Sequence, residues 1–385
     1  METSELIEII ARDEDSKHQF KANFNNEVSA GQEMVAFSNT KGGMLIIGVS
    51  DDGQISGLNR DDMNRLNNLI SNAASQQVKP AINPITENIQ LPGGLVMVVH
   101  IPQGISKPYM DKNGVIWVKS GADKRKATSR EEIQRIYQSA GLIHGDEILV
   151  PNMLITDIEL DYFKSYFMKR FNYNIDDTEF SLKTIISNLN LGRDGFLNIA
   201  GALIFGQNNV FKIPSFIVKC VAYSGNTISI GEYNDSEDIS GIIENVFKMT
   251  LSFITRNLQK VQKNQNINSI GELEIPKVVF EELIANALIH RDYFISAPIR
   301  IFMFDDRIEI ISPGHLPNNL TIENIKNGNS NQRNPILTSH ATHILPYRGL
   351  GTGIIRAVTA YKDISFIDDR EGNIFKVVIM RPTRS

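Results

Sequence analysis

Apolar residues recur along the chain in short blocks whose spacing switches between a helical and an extended period. Leu6, Ile9 and Ile10 share one side of a helix predicted over 2–12, and Met34, Val35 and Phe37 face inward from a second over Ser29–Asn39. The Asn39-Thr40-Lys41-Gly42-Gly43 turn leads into a buried strand, Met44–Val49, which Asp51-Asp52-Gly53 turns back. A helix over Asp61–Gln77, a hairpin of strands 82–90 and 95–101, and a strand over Val115–Val118 follow. Ser129–Glu132 is a capping box that opens a helix running to Ser139. Residues 1–140 are therefore expected to form one mixed α/β domain.

Residues 141–238 are expected to be a connector. Within them 141–155 reads as a linker, with helices over 157–171 and 181–189 and strands over 200–205 and 215–223. Residues 239–385 are expected to form the last domain. A long helix over Ile239–Lys263 precedes a helix over 277–290, with Pro276 at its start. Strands Ile299–Phe304 and Arg307–Ile311 form a hairpin. Helices over 335–343 and 351–361 lead to a final hairpin, 364–367 and 374–380. That order implies an antiparallel sheet with helices on one face, and an α+β class for the whole chain.

The 385 residues are 42% hydrophobic and 22% charged, a globular composition that argues against disorder and coiled coil. The net charge of -5 means that any nucleic-acid contact must use a local patch. The single cysteine, Cys220, lies in an apolar run and fits a reducing, cytoplasmic setting. No signal-peptide core is evident, and no apolar stretch approaches the roughly 18 residues of a membrane span, so no membrane partner is expected.

Two segments of the last domain carry chemistry. Glu282 and Asn286 stand four apart and share a face of an otherwise apolar helix, where burial without partners is costly. Such a pair suits Mg²⁺ held by the Asn286 amide oxygen, with Glu282 as general base toward a γ-phosphate. Arg348-Gly349-Leu350-Gly351-Thr352-Gly353 is glycine-rich and opens directly into a helix, which lets phosphates approach backbone N–H groups. Ile311-Ser312-Pro313-Gly314, between them in sequence, ends a strand in a tight turn. The Asn-rich stretch Asn327–Asn334, which contains Arg333, reads as a mobile lid.

With these residues in order, the last roughly 110 residues resemble the ATP-binding domain of the GHKL superfamily, in the divergent branch found beside Schlafen-type AlbA domains. The resemblance implies that ATP and Mg²⁺ bind through Glu282, Asn286, Ser312, Gly314, Arg333, Gly349, Gly351, Thr352 and Gly353, and it leaves weak ATPase activity open. Ser312 stands where the superfamily has an adenine-reading Asp, and Asp292 is an alternative.

Residues 14–120 resemble the Schlafen AlbA-type domain. The match rests on Glu14–Lys21, Ala36–Gly43, Ile46–Gly53, Gly57-Leu58, Lys107-Pro108-Tyr109 and Trp117–Gly121. It implies nucleic-acid binding, to DNA or RNA. In some Schlafen proteins it implies metal-dependent RNA cleavage by three carboxylates. Glu14 and Asp51 or Asp52 match those positions, but Gln19 stands in place of the second Glu. Lys119, Lys124, Arg125 and Lys126 form the densest basic run, near Tyr109 and Trp117, and Lys21 adds to the same candidate face.

The expectation is an ATP-responsive nucleic-acid-binding protein, a transcriptional regulator or stress or defence factor, acting as a homodimer. A Schlafen-like RNase and an ATP-gated protein-interaction module are the alternatives. Related chains often end in a winged helix, and none is expected after the last strand here.

Overall fold

The computed structural model describes residues 1–229, 231–261, 271–317 and 320–382. The chain divides into two compact units, Met1–Ile143 and His144–Ser385. Among the described residues no helix is long and apolar enough to cross a membrane.

The first unit is built on a four-stranded sheet ordered His18–Lys21, Gly43–Ile47, Gly94–Ile101, Ile85–Leu91. The first pair is parallel and the other two are antiparallel. Alternation along Gly43–Ile47 sends Leu45 and Ile47 to one face and Ile46 to the other. Leu45 and Ile47 pack against Met34 and Phe37 of the helix Glu27–Asn39 and Leu66 of the helix Arg60–Asn72. Ile46 packs against Leu6 and Ile10 of the helix Thr3–Ile10. Both faces of the sheet are thus covered, which is why its central strands are apolar but for His100. Asn26 caps the first of these helices by accepting from the Val28 N–H, and Asn59 with Asp62 makes a capping box for the second.

The second unit has a six-stranded sheet ordered Asp235–Ile239, Val218–Ala222, Ile299–Met303, Arg307–Pro313, Ile374–Met380, Ile364–Asp369. Every neighbouring pair is antiparallel except Val218–Ala222 with Ile299–Met303, which is parallel. Ile299, Ile301 and Met303 are buried while Arg300 between them is exposed, so the sheet has one core face. The helix Lys277–His290 adjoins both Ile243–Asn257 and Gly353–Ala360, and the helices Ile243–Asn257 and Lys277–His290 pack on the sheet. The stretch 141–238, expected to be a connector, supplies two strands of this sheet and a second, three-stranded sheet formed by Leu149–Leu154, Phe196–Asn198 and Gly192–Arg193. Beside it Phe163 and Phe205 meet edge to face, with ring centroids 4.9 Å apart.

Three local expectations are corrected. Residues 141–155 are not a plain linker, since Leu149–Leu154 is a strand despite Pro151 and the left-handed Asn152. Residues 200–205 are helical, not extended: Asn198 caps the helix Ile199–Phe205 by accepting from the Gly201 N–H. All seven residues of that helix are buried, so no polar face betrays its period. The helix expected over Ile239–Lys263 runs only from Ile243 to Asn257, because Ile239 ends a strand; Lys263 lies outside the described residues.

Candidate functional site

The helix Lys277–His290 is apolar nearly all round: Val279, Phe280, Leu283, Ile284, Ala285, Leu288 and Ile289 are buried. A helix of this kind belongs inside a domain. Its polar members Glu282, Asn286 and His290 face a cavity, and the first two line it with Ser312, Gly314, Arg333, Gly349, Gly351, Thr352 and Gly353. The structure therefore brings nine of the ten residues expected at the nucleotide site to one cavity. Ile310, Phe366, Phe375 and Val377 supply apolar wall from the sheet.

Gly353 lies against the two polar side chains. A Cβ there would fall 2.5 Å from Glu282 Oε2 and 3.3 Å from Asn286 Nδ2. Glu282 is buried and pairs with Arg356, Nη1 to Oε1 2.5 Å. Burial pushes its pKa up, while Arg356 pulls against that shift. Asn286 Nδ2 is buried with no hydrogen-bond partner among the described residues. Next on the helix, His290 contacts the Tyr347 hydroxyl at 3.0 Å, and burial, with the Arg333 charge, lowers its pKa to about 4.

The glycine loop uses left-handed backbone at Gly349 (φ 69°) and Gly351 (φ 71°), which favours glycine. Gly351 also presses on Gly328: a Cβ would meet the Gly328 carbonyl oxygen at 2.1 Å. Thr352 is the N-cap residue of the following helix, and its side chain makes no capping bond. Ser312 Oγ lies 3.5 Å from the Ala287 carbonyl. Arg333 is buried and donates to the His315 carbonyl at 2.7 Å, and its Nε has no partner among the described residues.

Asp292 is the exception among the ten. It sits behind Gly314, its N–H bonded to the Pro313 carbonyl and its Oδ1 accepting from the Phe294 N–H. It shapes the turn after the helix and does not line the cavity. The expected lid is also tied at one end: Asn334 is fully buried and donates to the Ile289 and Arg291 carbonyls, both at 2.8 Å.

In the first unit the basic residues are mostly neutralised internally. Lys119 is buried, donates to Gln19 Oε1 at 2.6 Å, and lies 3.8 Å from Glu33. Burial lowers its pKa. Lys124 pairs with Glu33 at 2.8 Å, Arg125 with Glu132 at 2.6 Å, and Lys21 with Asp51 at 2.9 Å. Lys126 is exposed, its ammonium 5.5 Å from the Trp117 ring centroid. Trp117 itself is anchored through Nε1 to Asp111 at 2.9 Å. Of the acids, Glu14 accepts from Gln19 Nε2 and the Phe20 N–H, each at 2.6 Å, and Asp52 accepts from Ser50 Oγ within its turn. Among the described residues no group of three or more acids, histidines or cysteines is placed to hold a metal ion.

Comparison with known families agrees with this division. Residues 14–128 match the family model described as Schlafen, AlbA_2. Residues 296–376 match the one described as "Putative ATP-dependent DNA helicase recG C-terminal", a HATPase-type model. The chain carries a Schlafen AlbA_2 domain followed by a HATPase-type domain. No curated protein matches it. The DIP2311 protein from Corynebacterium diphtheriae aligns with 98% of this chain and 80% of its own, at 18% identity and a TM-score of 0.46. The N-terminal domain of a RecG-related protein from Nitrosomonas europaea aligns with 34% of this chain and 91% of its own, at 20% identity and a TM-score of 0.25.

The Glu282 helix lies just ahead of the matched HATPase stretch yet supplies one wall of its pocket. Sequence reasoning missed Arg356 there, and it missed Glu33 in the AlbA_2 domain. Arg356 follows Gly353 by three positions, so it shares the face of the first helical turn, a spacing that could have flagged it. Glu33 sits on a buried helix where no local signal marks it.

Proposed function

We propose that the HATPase-type domain binds ATP in the Glu282–Gly353 pocket and that the AlbA_2 domain binds nucleic acid, the first event controlling the second. The observation that carries the reading is the approach of Gly353 to Glu282 and Asn286, which leaves no room for a side chain at the start of the Gly353–Ala360 helix unless the Glu282 carboxylate moves. A triphosphate laid along Gly349–Gly353 would meet backbone N–H groups on one side and the two polar side chains on the other. Asn286 Nδ2, which has no hydrogen-bond partner among the described residues, is free to donate to a phosphate oxygen, and the carbonyl oxygen of the same amide would hold Mg²⁺ with phosphate and water supplying the remaining oxygens. Mg²⁺ there would neutralise phosphate charge. Glu282 would orient the attacking water as general base, giving weak hydrolysis. His290, neutral with its pKa near 4, adds no charge to the wall.

The family descriptions support the pairing of activities, since one names an ATP-dependent DNA helicase. In this reading the protein works in the cytoplasm, as a homodimer, in transcriptional control or in stress or defence. Its nucleic-acid ligand is DNA or RNA.

Melting the full chain with and without Mg²⁺ and ATP tests the proposal. At ATP about one hundred times its Kd, wild type should gain about 2.7 kcal/mol. Asn286→Ala should melt like wild type without ligand and lose most of that gain. An unchanged wild-type melting point sinks the reading.

A further inference from the structure

Arg356 belongs to the pocket, but the function proposed above gives it no task. Its guanidinium is about half exposed, whereas its partner Glu282 is buried. The bond between them, Nη1 to Oε1 at 2.5 Å, spans the cavity edge beside the glycine loop. Among the described residues that line the cavity, Glu282 is the one acidic side chain, against Arg333, Arg348 and Arg356. A carboxylate and a phosphate are rival acceptors for a guanidinium, and both accept its two-pronged hydrogen bonds.

We infer that Arg356 is a triphosphate ligand parked on Glu282: an incoming nucleotide draws the guanidinium from the carboxylate to its phosphates and frees Glu282. The inference rests on the nucleotide reading and assigns Arg356 a binding role within the same site. Three features support the exchange. Arg356 lies one turn into the helix that the glycine loop opens, so phosphates held by that loop come within its reach. The exposed guanidinium can move without uncovering core, while the buried carboxylate is fixed by its helix. Glu282 also has a second cation nearby, Arg348, and its buried setting raises its proton affinity once Arg356 leaves. A carboxylate so released is a stronger base than the paired one, so the same movement that binds phosphate prepares Glu282 to orient water.

A double-mutant cycle on the full chain tests this, with Mg²⁺ and a non-hydrolysable ATP analogue as the probe, binding followed by calorimetry, and folding checked by melting without ligand. Glu282→Gln removes the rival charge and should tighten binding several-fold. Arg356→Ala should weaken binding roughly tenfold, and Arg356→Lys should recover part of that loss. In the double variant the gain from Glu282→Gln should vanish, because there is no longer a guanidinium to release. If Glu282→Gln tightens binding equally with and without Arg356, or if Arg356→Ala binds like wild type, the exchange is wrong while the nucleotide site stands. If wild type binds no analogue and shows no shift with ATP, the site reading itself fails and the exchange fails with it.

Discussion

Gly353 and Glu282 are in such close register that a single methyl group at the first would fall 2.5 Å from Oε2 of the second. Its φ does not lie in the left-handed region, so the constraint there is one of space, set by the end of the Glu282 side chain, and not of backbone freedom.

Gly353→Ala should therefore act by overpacking. The Glu282 carboxylate, buried and paired with Arg356, must shift, at a cost of about 1–3 kcal/mol. Chemical denaturation should show that loss, and the ATP-induced rise in melting temperature should disappear. An alanine variant that keeps both stability and ATP response would show that the approach has no functional weight.

Asp146 gives a pH signature. Its Oδ2 accepts from the Leu337 N–H at 2.8 Å, its Oδ1 has no partner among the described residues, and burial raises its pKa to about 6. A raised acid is held protonated in the fold but ionised in the open chain between its two pKa values. Stability from this group is therefore lost as pH rises from about 4 to 6 and stays lost above. Asp146→Asn keeps an acceptor for Leu337 and should be more stable than wild type at pH 7, by up to about 3 kcal/mol, with the difference closing at pH 4. Denaturant melts at the two pH values measure it.

His340 works in the opposite direction. It is buried, contacts the Tyr166 hydroxyl at 2.6 Å, and burial lowers its pKa to about 4. The open chain takes up its proton near pH 6.5 and the fold does not, so stability falls as pH drops from 6.5 to 4. His340→Gln should flatten that limb of the stability profile. A profile as steep as wild type would locate the acid sensitivity elsewhere.

In the AlbA_2 domain, Lys126 and Lys119 should part company. Lys126→Ala removes an exposed cation beside Trp117 and should lower the slope of log affinity for nucleic acid against log salt by about 1, with stability unchanged. Lys119→Ala strands Gln19 and one side of Glu33 in the interior and should cost about 2–4 kcal/mol of stability. Equal loss of affinity with no loss of stability in both variants would return Lys119 to the binding face.

The cavity lined by Glu282, Asn286 and Gly349–Gly353 was legible because its signals are local. Glu282 and Asn286 are one turn apart, and Gly349–Gly353 announces a loop through Gly349 and Gly351, whose left-handed backbone favours glycine. The charge pairing was not legible. Lys119 reads as part of a basic run, yet its partners Gln19 and Glu33 lie on elements far upstream, which only the tertiary fold brings near. The same holds for Val218–Ala222. It pairs in parallel with Ile299–Met303 across some eighty residues, and no hairpin turn marks such a partner. Ile199–Phe205 was misjudged for a different reason: burial on every side erases the periodicity by which helix and strand are told apart.

Gly351 and Gly328 meet main chain to main chain, with no side chain between them to act as a cushion. Glycine at 351 is thus what lets the two backbones seat this closely: any side chain there would wedge the Asn-rich segment away from the glycine loop and widen the mouth of the cavity.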